Sequence, residues 1–566
     1  MIEAGGASLG TGVSGIGPGR TDRNSLVAAA GLALVHLALA ALSFDPTLHP
    51  GGDNAAYLDL ARSLLERGRY LSLWEPGSPP HLQYPPGFPA LLALAMALGV
   101  EPWAGLKVLV VLVSTTAVGL SYLWARTRLR AGPAFCVGLL VAVAPGIVGQ
   151  SRWILSDVPF WAATMGALLA AGRGRAAVGA ALAFVALTLR TAGLPLVLAF
   201  GVWFALRRRW RGVVLTTVAL AVVSGLWLVR GPAVGPPYVS SFRLADPYDP
   251  AAGLAGPLDL ALRAGENSRR YTLDLLMEVL IGHAGTAADI VAVLLLGGAA
   301  VGFVCFINSS CKQCTDGVTA GGAAGIEVPE LWLPLYTVVL LLWPQAWASE
   351  RFLLPVLPAL LVLATLPLTR LSTPARRVVG VLVVAGLVVA GLPATVEGAR
   401  SARHCRDLAA AQPQRAERVC LRPNVRAFLA LAEWSREGLP AEAVVLSRKP
   451  MLYHWFGHRT GYTYPFRKEP GALLAAMDSA GADFVAVDRL GLSAQTYLVP
   501  ELRRFADRFC VVRAVRDETS RATLLARVPA RPAGAPPGPD PDLPGIAACT
   551  GHYVSDSSDG SRPPLR

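Results

Sequence analysis

Five ionisable positions, distant in sequence, share one setting: each stands where an apolar run meets a polar turn. Asp53 lies in Gly51-Gly52-Asp53-Asn54-Ala55-Ala56-Tyr57, just beyond the apolar run 26–44. Arg152 and Asp157 occupy Ser151-Arg152-Trp153-Ile154-Leu155-Ser156-Asp157; Arg190 closes a run in Thr188-Leu189-Arg190-Thr191; Arg351 stands in the turn Glu350-Arg351-Phe352. Ionisable groups in or beside membrane-length apolar runs are expensive unless they are used. Brought together at a bilayer surface, these groups could move a proton and hold a phosphate. A carboxylate within hydrogen-bond reach takes the proton of an attacking hydroxyl. The planar Arg fork binds phosphate oxygens bidentately and meets charge that develops on a leaving group. The ordinary alternative is that an interfacial Arg or Asp anchors a helix end, a reading that fits Asp53 least. His81 and Tyr84, in the loop after Asp53, could touch phosphate or sugar, or pack the loop against the interface.

The elements that must position these groups are membrane helices. The chain has 566 residues, 53% hydrophobic and 16% charged, whereas a soluble domain carries about 25% charged residues. Apolar runs that cross or nearly cross a bilayer are 26–44, 104–124, 134–150, 158–172, 176–189, 192–206, 213–229, 288–307, 331–347, 352–368 and 378–395. That is eleven candidate spans, against roughly 20 residues per crossing. The net charge of +13 is spread as Arg between apolar runs, which argues against nucleic-acid binding. With the N-terminus inside, the Arg-rich segments 126–130, 173–175, 207–211 and 370–377 all face the cytoplasm, as the positive-inside rule requires. Phe88–Leu98 is then an in-plane or re-entrant helix, because a crossing there would turn every later basic loop outward. An odd count places 45–103, 151–157, 230–287, 348–351 and everything after about 396 on the outer face. Four of the five ionisable positions fall in those segments, and Arg190, which ends the fifth run, reaches the same face. The run 26–44 is longer than the 7–15 residues of a signal-peptide core, although Ala38-Leu39-Ala40 mimics a cleavage site.

The chain divides into a Gly/Ser-rich tail (1–24) expected to be disordered, a membrane domain (25–395), an outer α/β domain (396–530) and a Pro-rich disordered tail (531–566). In the outer domain, strand-length apolar runs at 443–447, 483–488, 509–515 and 522–528 alternate with helical patterns at 428–436, 471–480 and 500–509. Cys405, Cys420, Cys510 and Cys549 all lie there, in a compartment that tolerates disulfides, and four cysteines allow three pairings. Cys136 and Cys305 read as packing residues within spans. Cys311-Lys312-Gln313-Cys314 lacks the second pair that a zinc ribbon needs. His36, mid-span, reads as a packed neutral residue rather than a proton relay.

Four stretches together resemble the GT-C glycosyltransferases, in particular the protein O-mannosyltransferases and lipid A aminoarabinose transferases. They are Asp53-Asn54-Ala55-Ala56-Tyr57 with the following 61–68, Tyr84-Pro85-Pro86-Gly87-Phe88-Pro89, Arg152 to Asp157 leading into Val158-Pro159-Phe160, and Glu350-Arg351-Phe352-Leu353-Leu354-Pro355. The resemblance implies an α-helical polytopic enzyme that moves a sugar from a polyprenyl phosphate to a protein, lipid or glycan acceptor on the outer side of a bacterial inner or plasma membrane, with inversion. It implies Asp53 as catalytic base and Asp157 as a second acidic residue that supports the site or orients its cations. Arg351 and Arg190 would face the donor phosphate, with Arg152, Tyr84 and His81 near it. Asn54 departs from the Asp-Glu of many mannosyltransferases, which bears on the sugar more than on the chemistry. No cofactor is required: a monophosphate leaving group does not demand a metal, although some relatives use one, and that question stays open. No nucleotide-sugar motif or P-loop is visible. Two other readings remain, a transporter or flippase and a non-catalytic assembly subunit, each of which would tolerate Asp53→Asn.

Overall fold

The computed structural model describes residues 23–228, 242–247, 249–307, 326–529, 543 and 545–549. The expected tails, apart from residues 23, 24, 543 and 545–549, and the Cys311/Cys314 pair lie outside the described residues, and nothing is said here of the side chain of Cys305.

Helices dominate from Arg23 to Ala411: α1 (Arg23–Leu42), α2 (Asp53–Arg67), α3 (Gly87–Ala97), α4 (Ala104–Ala125), α5 (Ala131–Val143), α6 (Pro145–Gln150), α7 (Asp157–Gly172), α8 (Ala176–Leu189), α9 (Leu194–Leu206) and α10 (Trp210–Leu228) come first. A two-stranded antiparallel ribbon follows, β1 (Leu244–Asp246) with β2 (Asp249–Leu254), then α11 (Pro257–Arg269), α12 (Leu276–Ile281), α13 (Thr286–Ile307), α14 (Val328–Leu342), α15 (Leu357–Thr365) and α16 (Thr373–Ala411). Four of these, α1, α4, α13 and α16, are long and apolar enough to cross a membrane; α3, α5, α8, α9, α10 and α14 are shorter apolar helices. Prolines account for several of the short pieces. Run 134–150 breaks at Ala144-Pro145 into α5 and α6, and run 352–368 becomes α-helical only from Leu357, with Pro355 before it and Pro358 in its first turn, where proline is tolerated.

The helices bury one stripe and present the rest outward. In α1 the buried residues are Ser25, Ala29, Leu32, His36 and Ala40, spaced three or four apart along one face, which lies against α4 and α5. Leu26, Val27 and Leu34 on its other faces are exposed, as are Leu294 of α13 and Val381 and Leu382 of α16; apolar surface of that extent suits a lipid solvent. His36 is buried and accounted for: one ring nitrogen meets Ala142 O at 2.9 Å and the other Ser114 Oγ at 2.8 Å.

Charges collect at two opposite ends of the helices. At one end Arg128, after α4, pairs with Glu330 at 3.1 Å, and Arg207, after α9, with Glu327. Arg173 and Arg175 flank the start of α8, whereas Arg190 follows its far end. That far end holds the candidate site.

Helix α16 has 39 residues; at about 1.5 Å per residue it reaches roughly 60 Å, twice a hydrocarbon core of about 30 Å. Its C-terminal part leads to an α/β unit. There α17 (Pro423–Gly438), α18 (Pro450–Gly457), α19 (Ala472–Ala480) and α20 (Val499–Arg504) surround a four-stranded sheet of order β3-β4-β6-β5, with β3 (Val445–Leu446), β4 (Phe484–Val487), β5 (Phe509–Asp517) and β6 (Ser520–Arg527). β3 and β4 are parallel and the other pairs antiparallel. Phe428, Leu429 and Leu431 of α17 pack on one sheet face with Leu524 and Ala526; Met477, Leu498 and Leu502 cover the other with Val485 and Leu525.

Of the three cysteine pairings the structure takes Cys405–Cys420 and Cys510–Cys549. The first ties the end of α16 to the segment entering α17 and closes a loop of separation 15. Loop-closure entropy for such a loop is worth about 3 kcal/mol. Replacing both Cys405 and Cys420 by Ser should therefore lower the thermal midpoint of the detergent-solubilised protein by several degrees, as should reductant on the wild type; an unchanged midpoint would mean the bridge is absent in solution.

Candidate active site

Asp53 opens α2, where the helix N-terminus favours negative charge. Gly52, before it, has φ +94, a conformation that costs little only for glycine. At the other boundary of the loop, a Cβ on Gly87 would stand 2.6 Å from Thr188 O. Pro85-Pro86-Gly87 therefore lies directly on the end of α8, which carries Tyr84 and Arg190 into one neighbourhood. His81 builds the loop between. Its Nε2 accepts from the Tyr84 N–H at 2.9 Å, so the neutral ring carries its proton on Nδ1, which faces Ser72 Oγ at 2.9 Å. Burial holds its pKa down to about 3. With both nitrogens engaged inside the loop, His81 positions Tyr84 rather than presenting a donor to a ligand.

The carboxylates and guanidiniums form a chain. Both terminal nitrogens of Arg351 lie 3.3 Å from Asp53 Oδ2. Its Nη1 is also 3.9 Å from Asp157 Oδ2, and Asp157 Oδ1 in turn pairs with Arg190 Nη1 at 2.6 Å. Tyr84 donates to Asp53 Oδ1 at 3.3 Å, Tyr57 and Ser156 share a hydrogen bond of 2.9 Å, and Arg190 reaches Ser156 Oγ at 3.3 Å. The guanidiniums of Arg351 and Arg190 both lie over the Phe352 ring, 5.4 and 5.0 Å from its centre. Asp157 is 3% exposed but Asp53 30%. Asp157 is thus shut between the two arginines, while Asp53 keeps an exposed face.

Burial works to raise the Asp53 pKa, but the charges of Arg351 and Lys449, then His49, outweigh it and hold the carboxyl below its ordinary 3.8. Burial opposes the charge on Arg351 as well, yet Asp157 and Asp53 raise its pKa above the ordinary guanidinium value. His49 is held down to about 4, by burial first, against the pull of Asp53; it is neutral at pH 7, accepts from the Gly51 N–H at 3.0 Å and stands edge-on to Trp153.

Of the residues expected here, Asp53, Asp157, Arg190, Arg351 and Tyr84 are brought together. Arg152 is not joined to them directly: it pairs with Asp45 at 2.9 Å, contacts Ser43 O at 3.3 Å and lies over Trp153. Asp45 also faces the buried Lys107 at 3.7 Å, so Arg152 completes a separate interfacial ion cluster. Two groups were missed by sequence reasoning. His49 precedes the Gly-Gly turn. Lys449 comes from the α/β unit, and its only sequence signal is its place in Ser447-Arg448-Lys449-Pro450 just after a strand. Among the described residues no group of three or more His, Cys, Asp or Glu side chains is placed to hold a metal ion; Asp53 and Asp157 instead share a guanidinium.

Beside the cluster runs an apolar groove of about 560 Å³ across α3, α4, α7 and α8. Gly87 and Thr188 mark its end near Arg190, Leu91, Val113 and Leu182 its walls, and Arg173 its opposite end.

No protein-family model matches the chain, and no curated protein does. Solved structures are similar. ArnT from Cupriavidus metallidurans, bound to undecaprenyl phosphate, matches over 90% of this chain and 100% of its own, at 16% identity and a TM-score of 0.51. The Archaeoglobus fulgidus oligosaccharyltransferase AglB, in complex with an inhibitory peptide and a dolichol-phosphate, matches over 87% and 73%, at 14% identity and a TM-score of 0.50. The apo form of the A. fulgidus oligosaccharyltransferase matches over 82% and 69%, with the same identity and TM-score.

Proposed function

We propose that this chain, which has the GT-C fold, is an integral membrane glycosyltransferase that moves a sugar from a polyprenyl phosphate to an acceptor hydroxyl. The observation that carries this reading is the Arg351 guanidinium held between Asp53 and Asp157, with Arg190 on the far side of Asp157. An exposed carboxylate beside two oriented guanidiniums is what a base-assisted displacement of a phosphate needs. Asp53 takes the proton of the acceptor hydroxyl as its oxygen attacks the anomeric carbon. The bond from that carbon to the phosphate oxygen breaks, its electron pair passes to the phosphate, and Arg351 and Arg190 meet the growing charge. Attack opposite the leaving group inverts the anomeric centre; a product with retained configuration would contradict the scheme. Tyr84 fixes the Asp53 carboxylate, and Asp157 keeps the two arginines aimed at the donor. The polyprenyl tail lies in the apolar groove whose end reaches Arg190.

The same reading takes the eleven apolar runs as spans, the short helices leaning on one another to cross, and sets the Asp53 cluster and the α/β unit on the outer face of a bacterial inner or plasma membrane. Two disulfides in that unit support an oxidising compartment. The acceptor is a protein, lipid or glycan. A transporter or flippase has less support, because the mid-span polar load is light and the ionisable groups gather at the helix ends rather than at mid-bilayer.

Purified enzyme supplied separately with radiolabelled polyprenyl-phosphate mannose, arabinose and hexosamine should release free carrier from one of them, by transfer or by hydrolysis. Consumption of nucleotide sugars with every lipid-linked donor left intact would overturn the donor assignment.

The pH profile follows from the Asp53 environment. The base acts deprotonated, and its pKa is depressed, so activity persists as pH falls below the ordinary carboxylate value of about 4. The acid limb of kcat/KM assigned to Asp53 should lie below pH 4 and move upward in Arg351→Met, which removes the largest opposing charge. An acid limb near pH 6 in the wild type would identify a different base.

A further inference from the structure

The α/β unit is not merely attached to the membrane domain; it docks on the helix that carries Asp53. His454 of α18 meets Asp59 of α2 at 2.9 Å, the Arg62 guanidinium lies 4.2 Å from the centre of the Trp455 ring, and Trp455 and Phe456 both pack on Trp103. Asp59 is fully buried by this docking. The contact delivers Lys449, the residue before α18, to the Gly51-Gly52-Asp53 turn. Its ammonium donates to Gly51 O, and a Cβ on Gly52 would lie 3.1 Å from its Cδ and 3.7 Å from its Nζ. The absence of a side chain at Gly52 is therefore what admits the lysine alongside Asp53.

Lys449 also sits beyond the carboxyl end of β3, the neighbour of β4 in the parallel pair, and Asp488 follows β4 at the same edge. Ligands of α/β sheets gather at that edge. Charge arithmetic points the same way. Around Asp53 and Asp157 stand Arg351, Arg190 and Lys449, two anions against three cations. Adding the neighbouring Arg448 and Asp488, both of which act on Lys449, leaves the excess at one positive charge. A sugar-phosphate-lipid diester carries one negative charge. The arginines are each committed to carboxylates, whereas Lys449 donates to a neutral carbonyl that it can release.

We infer that Lys449, delivered by the α/β unit, is a phosphate-binding residue of the donor site, so that the site is complete only when that unit is docked on α2. This rests on the proposed polyprenyl-phosphate chemistry. In that role the ammonium meets a phosphate oxygen that the arginines do not, and holds the lipid phosphate after the sugar has left.

The test is equilibrium binding of undecaprenyl phosphate to the full-length protein in nanodiscs. Lys449→Met should weaken binding about 10- to 100-fold, the range for loss of a hydrogen bond to a charged group, while Lys449→Arg should stay within about threefold of wild type. A purely structural tie to Gly51 O would lower the thermal midpoint of Lys449→Met and leave the lipid affinity of the folded protein unchanged. Equal binding by wild type and Lys449→Met overturns the inference and leaves the proposed function standing; a wild type that neither binds undecaprenyl phosphate nor consumes a lipid-linked sugar overturns both. Should Lys449→Met not fold, reductive methylation of the wild type decides: saturating undecaprenyl phosphate should slow modification of Lys449 at least fivefold, and an unchanged rate overturns the assignment.

Discussion

Asp53→Asn should lower turnover by about 10³-fold, within the 10²–10⁴ range of a positioned general base, and leave the protein folded in the membrane. The amide is nearly isosteric with the carboxylate. Its oxygen can still accept from Tyr84, so the 3.3 Å contact that fixes the side chain survives. What is lost is the proton acceptor and the charge that faces Arg351 and Lys449. Asp53 is partly exposed and sits at the first position of α2, so the cost in stability should be small and the thermal midpoint should move by only a few degrees. Turnover measured from release of labelled carrier, beside a melting curve of the same preparation, separates the readings. A variant that keeps more than a tenth of wild-type turnover would mean that Asp53 is not the base, and a transporter or scaffold would be indifferent to the change.

Arg351→Met should lower kcat/KM by about 10²–10³, comparable to removing one oriented donor to a developing anion. Arg351 touches both carboxylates from a single 3-10 turn, Glu350–Leu353, stacked on Phe352. Without it Asp157 retains Arg190, but Asp53 retains only Lys449, His49 and Tyr84 among the groups named here. The charge balance of the site falls from one positive to neutral, which weakens donor binding, and the loss of leaving-group stabilisation lowers kcat as well. Both constants should therefore change. Arg351→Lys should recover only part of the loss, since one ammonium cannot reproduce the two contacts that converge from Nη1 and Nη2 on Asp53 Oδ2. A change confined to KM would move Arg351 from the reacting phosphate to ground-state binding alone.

Much of the site could be read in the sequence because its members share a setting. Asp53, Asp157, Arg190 and Arg351 each stand at the boundary of an apolar run, and the positive-inside rule puts those boundaries on one face. The structure brings these four together, with Tyr84. Arg152 has the same setting but a different outcome: Asp45, hidden in the entry to the first loop, takes its charge. His81 has the chemistry of a ligand group, yet its two nitrogens serve the loop backbone and Ser72. Both outcomes depend on particular hydrogen bonds, inside one loop for His81 and between two distant loops for Arg152, which residue type and spacing do not encode. Lys449 was out of reach for another reason. It is separated from Asp53 by the whole membrane domain, and only the docking of α18 on α2 through His454 and Trp455 brings it near. The helical runs were legible by hydropathy, but where they break was set by Pro145, Pro344 and Pro355. The disulfide pairs needed the sheet: Cys510 lies on β5, and the bridge Val511–Ala548 beside it fixes Cys549 opposite.

The account turns on one lipid phosphate lying against the Arg351 guanidinium, within reach of the Asp53 carboxylate. Cryo-electron microscopy of the protein in nanodiscs with undecaprenyl phosphate tests that placement directly. The account predicts phosphate density within hydrogen-bond distance of Arg351, at the Asp53 end of the helices, with the tail entering the groove between α3 and α8. Phosphate density at the opposite helix ends, near Arg128 and Arg207, or none at Arg351 under saturating lipid, would contradict it.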